Sequence, residues 1–135
     1  MGANNKSMKQ FFELELVKYV CVGGGAVLID FLSYMIMIER FGMNHSVSKG
    51  ISYVLGALFA FAVNKLWTFE SKRKTHEAFI RFTMLYASTF TANVLINATF
   101  IWLGFVPVIG FAFATVTSVV LNYVGQKYWV FKGEN

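Results

Sequence analysis

Asn64-Lys65-Leu66-Trp67-Thr68-Phe69 ends the first half of the chain, and Gln126-Lys127-Tyr128-Trp129-Val130-Phe131 ends the second, 62 positions later. Each stretch places an amide, a lysine and a Trp-x-Phe pair after a long apolar run. This is the pattern of a helix leaving a bilayer. A lysine reaches the headgroups while its stem stays in hydrocarbon, and tryptophan settles at the interface with its body inward and its N–H outward. Read outward from these two stretches, the chain is two helical hairpins.

The composition agrees. Apolar residues make up 56% of the 135 positions and charged residues only 14%, against roughly 25% charged in an ordinary soluble domain. A protein this small has too much surface to bury that much apolar area in water. The net charge of +5 does not indicate nucleic acid. The basic residues stand at the ends of apolar runs and do not line one exposed face. The one cysteine, Cys21, lies inside an apolar run, where a small buried residue is the simplest reading. No Cys/His cluster suggests a metal, and no cofactor is expected.

Residues 1–15 form a mixed-charge tail, read either as disordered or as a helix on the membrane surface. The first span covers residues 17–38, with Asp30 its only charge between Lys18 and Glu39. A short polar link, 39–50, follows. The second span has an uncharged centre from 50 to 64 and takes in Lys49 and residues 65–69 to reach the length of about 20 residues that a bilayer needs. A charged connector occupies residues 70–78. The 45 residues from Phe82 to Gln126 then contain no charged residue or histidine. A single helix of that length would be about twice too long. Gly104, Pro107 and Gly110 therefore mark a turn between a third span, 80–103, and a fourth, 108–127. The fold class is all-α membrane, with four transmembrane helices. The tail is followed by a membrane domain over 16–135, with halves at about 16–69 and 79–131.

Orientation follows from the basic residues. The tail, the connector and the C-terminal end hold ten lysines and arginines, and the two hairpin turns hold only Arg40 and Lys49. Both termini are expected in the cytoplasm. The halves align as an internal repeat: Lys18-Tyr19 with Arg81-Phe82, and Asp30 with Asn93. Both begin on the same side, so the hairpins are parallel-related and differ from the inverted repeats of alternating-access carriers. Ser52, Gly56, Ala60 and Asn64 form one narrow stripe at four-residue spacing, and Ala114, Ser118, Asn122 and Gln126 form another 62 positions on. Small residues let membrane helices approach closely, so the stripes read as a contact between helices two and four. The sharper reading makes their polar ends the lining of a headgroup pocket.

Asp30 lies about 18 Å along its helix from Lys18, near or past the midplane. A carboxylate there must be protonated, meet water or pair within the bundle. It reads as a proton or substrate-coupling site, or else as a structural hydrogen bond to Asn93, Asn97 or Tyr34. Lys18, Lys65, Arg81 and Lys127 read as a ring of cations at the cytoplasmic helix ends, close in sequence to Trp67 and Trp129. Such a ring suits a lipid phosphate, and ordinary interface anchoring is the plain alternative. Asn64, Gln126 and Asn122 add amides that bind a phosphate or sugar, or tie helices together. Gly23-Gly24-Gly25 lies inside a span and reads as close packing. His45 and His76 are isolated in polar links. No nucleophile–base pair or paired carboxylates are present, so no catalytic residue is expected.

With these motifs in place the chain resembles the GtrA-like family. The resemblance rests on Phe61-Ala62-Val63-Asn64-Lys65-Leu66-Trp67-Thr68-Phe69, on Asn122-Tyr123 followed by Lys127-Tyr128-Trp129-Val130-Phe131, and on Lys18-Tyr19 ahead of Gly23–Gly25. It covers about residues 12–132. It departs from the family pattern in a longer N-terminal tail and in Gln126, where the first copy has Asn64. Membership implies four spans, cytoplasmic termini and a role in cell-surface polysaccharide or teichoic-acid glycosylation. It implies movement of a polyprenyl-phosphate-linked sugar, such as undecaprenyl-phosphate glucose, to the outer leaflet of the cytoplasmic membrane. Lys18, Lys65, Arg81, Lys127, Asn64, Gln126, Asn122, Trp67 and Trp129 would then bind substrate, with Asp30 and Asn93 as intramembrane polar sites. Membrane lipids and a homo-oligomer complete the expected partners, since four helices enclose little room for a sugar phosphate. Two other readings compete. One is a non-transporting scaffold for a membrane glycosyltransferase, docking through Lys72–Lys74. The other is a small proton-coupled multidrug exporter built on Asp30, against which the one-sided charge distribution speaks.

Overall fold

The computed structural model describes residues 2–133; Met1 of the tail and Glu134 and Asn135 of the membrane domain lie outside the described residues. Four α-helices carry the chain: α1 (Gly2–Phe41), α2 (His45–Val63), α3 (Thr75–Trp102) and α4 (Pro107–Gly125). Each of α2 and α4 runs directly into a five-residue π-helical turn, Asn64–Thr68 and Gln126–Val130. All four helices are long and apolar enough to cross a membrane. No strand is present among the described residues. The protein is a multi-pass membrane protein, as the composition and spans require.

The helix boundaries follow from local chemistry. Gly42 (φ +59°) and Gly104 (φ +88°) hold the left-handed conformation that ends α1 and α3. At Gly104 the closing bonds are those of a Schellman cap: Phe105 N–H donates to Phe100 O at 3.1 Å and Gly104 N–H to Ile101 O at 3.0 Å. Asn44 caps α2, its side-chain oxygen accepting from Ser46 N–H at 2.8 Å and Val47 N–H at 3.3 Å. Pro107 opens α4 in the first turn, where its missing N–H costs no hydrogen bond.

The tail differs from the disordered alternative. Residues 2–15 continue α1 without a break, so the helix runs 40 residues, about 60 Å, well beyond a bilayer core. No proline interrupts it, and apart from Gly2 at its first position its glycines lie inside the span.

The chain divides into two compact units, residues 1–70 and 71–135. In the first, α1 packs antiparallel on α2. In the second, α3 packs on α4. The small-residue stripes take part in these contacts within each unit. A Cβ built on Gly56 would come 2.7 Å from the Ala26 carbonyl oxygen and 3.4 Å from Asp30 Cβ. Ser52 bonds Asp30, while Ser118 bonds Asn93 and Asn122 bonds Thr89. Helices joined by a turn of a few residues are antiparallel neighbours, so each stripe first meets the helix beside it in the chain. Of the three consecutive glycines only Gly25 is tight, facing Phe59; Gly23 and Gly24 have open space where a Cβ would stand. The flanks exposed outside these contacts are apolar, with Val27, Phe31, Leu95 and Val116 among them. That is the surface acyl chains cover.

Gly56→Ala is expected to lower stability by about 1–3 kcal/mol, because a backbone oxygen must move to admit the methyl group. Gly50→Ala, where a Cβ meets nothing, is expected to be neutral or to gain up to about 1 kcal/mol of helix propensity. Denaturation of both variants in mixed micelles distinguishes this close approach from a general glycine effect.

Candidate functional site

The π-turns build the site. In each, one extra residue is carried in the helical turn, and the N–H that closes it reaches five residues back: Phe69 to Asn64 O and Phe131 to Gln126 O, both at 2.9 Å. The amide that begins each turn is buried, Asn64 at 2% and Gln126 at 0% exposure. In the first turn Thr68 Oγ1 donates to Asn64 Oδ1 at 2.8 Å, so the side chains brace the wider backbone. The second turn has Val130 in place of that hydroxyl. Turns of this kind recur at functional sites. Nothing in the residue types announces them, since all five residues of either turn are compatible with an α-helix.

Both units dock a cation on the tryptophan of the turn. Lys18 Nζ stands 5.1 Å from the Trp67 ring centre and donates to the Trp67 carbonyl at 3.4 Å. Arg81 stands 5.6 Å from the Trp129 ring centre and donates to the Trp129 carbonyl at 3.1 Å. The next aromatic pair is matched too, Tyr19 with Phe69 at 6.3 Å and Phe82 with Phe131 at 6.5 Å. A cation over an indole face is held by the ring quadrupole and, for part of its surface, is shielded from water. The carbonyl at the open end of a helical turn adds a partial negative charge. Lys65 and Lys127 come from the same two turns. Lys127 lies 5.7 Å from the Tyr123 ring and 5.6 Å from the Tyr128 ring. Each unit thus holds a cation from its first helix over an interfacial tryptophan and carries a lysine in the adjoining turn.

Asn122 is engaged with α3. Thr89 Oγ1 donates to Asn122 Oδ1 at 2.8 Å, which leaves the amide NH2 of Asn122 to other partners. The connector folds onto the second unit. Arg73 donates to the Lys132 carbonyl and lies 3.8 Å from Glu77, while Lys72 and Lys74 stay exposed.

Asp30 is paired within its own hairpin. Lys49 Nζ stands 2.5 Å from Asp30 Oδ2, and Ser52 Oγ donates to Asp30 Oδ1 at 2.6 Å. These partners, and not the expected Tyr34, hold the carboxylate. Tyr34 meets His45 Nδ1 at 2.8 Å, so neither Tyr34 nor His45 is an isolated polar group. Asn93 donates to Ser118 at 3.0 Å. Lys49 turns back from the start of α2 toward α1. The sequence carried a signal for this that charge spacing along one helix does not show. Asp30 lies twelve positions before Gly42 and Ser52 ten after it, so an antiparallel hairpin about that turn sets them level.

Asp30→Asn and Lys49→Gln are expected to couple by about 0.5–1 kcal/mol in a double-mutant denaturation cycle, the pair losing less than the sum of the singles. Strictly additive losses would mean that the ion pair does not form in the folded protein.

The model of the family described as GtrA/DPMS, transmembrane domain, matches residues 18–131. That match spans both cation–tryptophan clusters and the Asp30 pair. Among curated proteins the chain is 27% identical over 124 residues to YwcD of Bacillus subtilis, an uncharacterized membrane protein, covering 84% of this chain and 94% of that one. It is 27% identical over 125 residues to the cell wall teichoic acid glycosylation protein GtcA of Listeria innocua, covering 87% and 84%. It is 26% identical over 117 residues to YngA of Bacillus subtilis, covering 86% and 78%.

Proposed function

Because this chain belongs to the GtrA/DPMS transmembrane-domain family, we propose that it moves a polyprenyl-phosphate-linked sugar, such as undecaprenyl-phosphate glucose, across the cytoplasmic membrane for glycosylation of the cell envelope. The observation that carries this reading is the cation–tryptophan pair built in each unit, Lys18 on Trp67 and Arg81 on Trp129, with Lys65 and Lys127 supplied by the adjoining turns. A polyprenyl phosphate has three parts to be recognised: an apolar tail, an anionic phosphate and a hydroxylated sugar. The tail needs only the lipid-facing flanks of the helices. The phosphate needs cations at interface depth, already partly desolvated, so that its approach exchanges water for ammonium and guanidinium donors. An arginine presents a planar fork to phosphate oxygens, and a lysine a compact charge. Both units supply one cation from the first helix and one lysine from the turn.

With both termini in the cytoplasm, as the basic residues indicate, these clusters lie at the cytoplasmic face, where the sugar is attached to its carrier. Phosphate capture there is the first step. The tail remains in lipid beside the helices, and the polar residues between paired helices lead the headgroup toward the Gly42 and Gly104 turns. GtcA, the teichoic acid glycosylation protein among the relatives, fits this context. Asn64 and Gln126 hold the turns in shape from beneath and set where Lys65 and Lys127 emerge. A second copy of the chain would complete an enclosure large enough for the headgroup.

Native mass spectrometry of the gently solubilised protein tests the reading. The wild type is expected to retain a polyprenyl-phosphate sugar in preference to bulk phospholipid. Lys65→Ala/Lys127→Ala is expected to lose that retention by at least tenfold, with translocation of the same lipid in liposomes falling in step. Equal retention of bulk phospholipid by both proteins, together with capture of a membrane glycosyltransferase, would replace this reading with that of a scaffold.

A further inference from the structure

Hairpin one carries a polar seam near the Gly42 turn that phosphate capture does not use. On α1 it consists of Asp30 and, one turn on, Tyr34. On α2 it consists of His45, Ser48, Lys49 and Ser52. Asp30 holds Lys49 at 2.5 Å and Ser52 at 2.6 Å, and Tyr34 meets His45 at 2.8 Å. Ser48 lies one turn from Ser52 on the face that α2 turns to α1. It is fully buried, and its Oγ has no hydrogen-bond partner. A buried hydroxyl without a partner costs free energy in any protein, and more where lipid excludes water.

Hairpin two carries no charged pair at the matching place. Its matching polar contact is the neutral Asn93–Ser118 bond, and Phe111 stands 62 positions after Lys49. The seam is therefore a property of one hairpin alone.

Its charge balance selects the ligand. An anion approaching Lys49 meets the Asp30 carboxylate already seated on the ammonium, and the two negative charges repel. A neutral hydroxyl meets no such barrier. It donates to the carboxylate and accepts from the ammonium, and once the ring parts the helices at this end a second hydroxyl on the next carbon reaches Ser48 or Ser52, both fully buried in the closed hairpin. Half of the Lys49 side chain is open, at 57% exposure, while the Asp30 side chain is 19% exposed, so the pair can be approached from one side. Alternating donors and acceptors on a compact neutral ring describe a hexose.

We propose that the Asp30–Lys49–Ser48–Ser52 seam binds the sugar ring of the lipid-linked substrate and discriminates a glycosylated lipid phosphate from the bare one. This deepens the translocation reading and rests on it. The seam lies about 18 Å along α1 from Lys18, too far for one headgroup to touch both. Phosphate capture and sugar recognition are therefore successive, the cation clusters accepting either lipid and the seam admitting the sugar-bearing one.

The test measures binding of farnesyl phosphate and of its glucosyl, galactosyl and N-acetylglucosaminyl esters to the full-length protein in detergent. The wild type is expected to bind at least one glycosylated probe more tightly than farnesyl phosphate. Asp30→Asn is expected to weaken that probe about tenfold or more, the effect of losing a hydrogen bond to a charged group, and to change farnesyl phosphate less than twofold. Ser48→Ala removes a hydroxyl that bonds nothing in the protein. It is expected to raise the melting temperature or leave it unchanged and still reduce the preference, and it decides the matter if Asp30→Asn fails to fold. Lys65→Ala/Lys127→Ala is expected to weaken all probes alike. If the wild type binds the probes without preference, or if Asp30→Asn and Ser48→Ala weaken all of them equally, the seam does not read sugar and the translocation reading stands. If the wild type binds no probe, both fall.

Discussion

The bilayer offers no water to an unpaired N–H, C=O or hydroxyl, and the two hairpins are built around that constraint. Helices answer it for the backbone. For side chains there are two answers here. Hydroxyls on α3 turn back on their own helix: Thr83 donates to Phe79 O, Ser88 to Met84 O, Thr91 to Ala87 O and Thr99 to Leu95 O. Such residues are polar in sequence and almost apolar toward lipid. Residues without that option, Asp30, Asn93 and Asn122, are set between paired helices, and each finds a hydroxyl on its neighbour. The small residues of α2 and α4 serve the same end. Gly56 at the Ala26 carbonyl brings the helices close enough for a short serine to reach a short aspartate.

Much of this arrangement is legible in the residues. The spans are visible as uncharged runs, and the turns as Gly42, Gly104 and Pro107. Lys18, Trp67, Arg81 and Trp129 stand out as interfacial cations and aromatics before any contact is known. Three features are not legible, each for a physical reason. The π-turns depend on one inserted residue, and Asn64–Thr68 contains nothing that an α-helix would refuse. The continuation of α1 through residues 2–15 is open, in the residues alone, between a surface helix and a disordered tail, because only the end of that segment has an amphipathic pattern and it lacks the apolar run that marks a span. The partner of Asp30 is set by the hairpin, across helices, whereas spacing along a chain reports neighbours on one helix. For the same reason the stripe that includes Ser52 and Gly56 could be seen as a contact surface without showing which helix it meets.

The two units agree at one end and differ at the other. At the tryptophan end the same cluster is assembled twice from different cations, lysine in one unit and arginine in the other. Cation, indole, carbonyl and turn are all retained while the side chain carrying the charge changes. A requirement for positive charge at a given depth accounts for that better than a requirement for one particular packing, because Lys18 and Arg81 differ in shape and in number of donors. The plain alternative, interface anchoring, accounts for a basic residue near a tryptophan. It does not account for a first-helix cation placed over the ring and bonded to the carbonyl of the same residue in both units.

At the turn end the difference carries the argument. A charged pair set between helices is a poor way to hold them together, since removing two ions from water offsets much of what they gain from each other. The second unit shows that no charge is needed: Asn93 and Ser118 join α3 to α4 at the corresponding depth with one neutral hydrogen bond. The first unit could have used the same solution. Its Asp30 and Lys49 are therefore not explained by helix packing, and the unbonded, buried Ser48 beside Ser52 is not explained by it either. Both observations have one cause if the seam is completed by a ligand that brings its own hydroxyls. A headgroup crossing a bilayer loses its hydration stepwise, and the loss is largest for the ring, with its many hydroxyls. Polar groups already desolvated and held in place on the hairpin replace those water contacts without reorganising, which is where a neutral carboxylate–ammonium pair serves better than either charge alone.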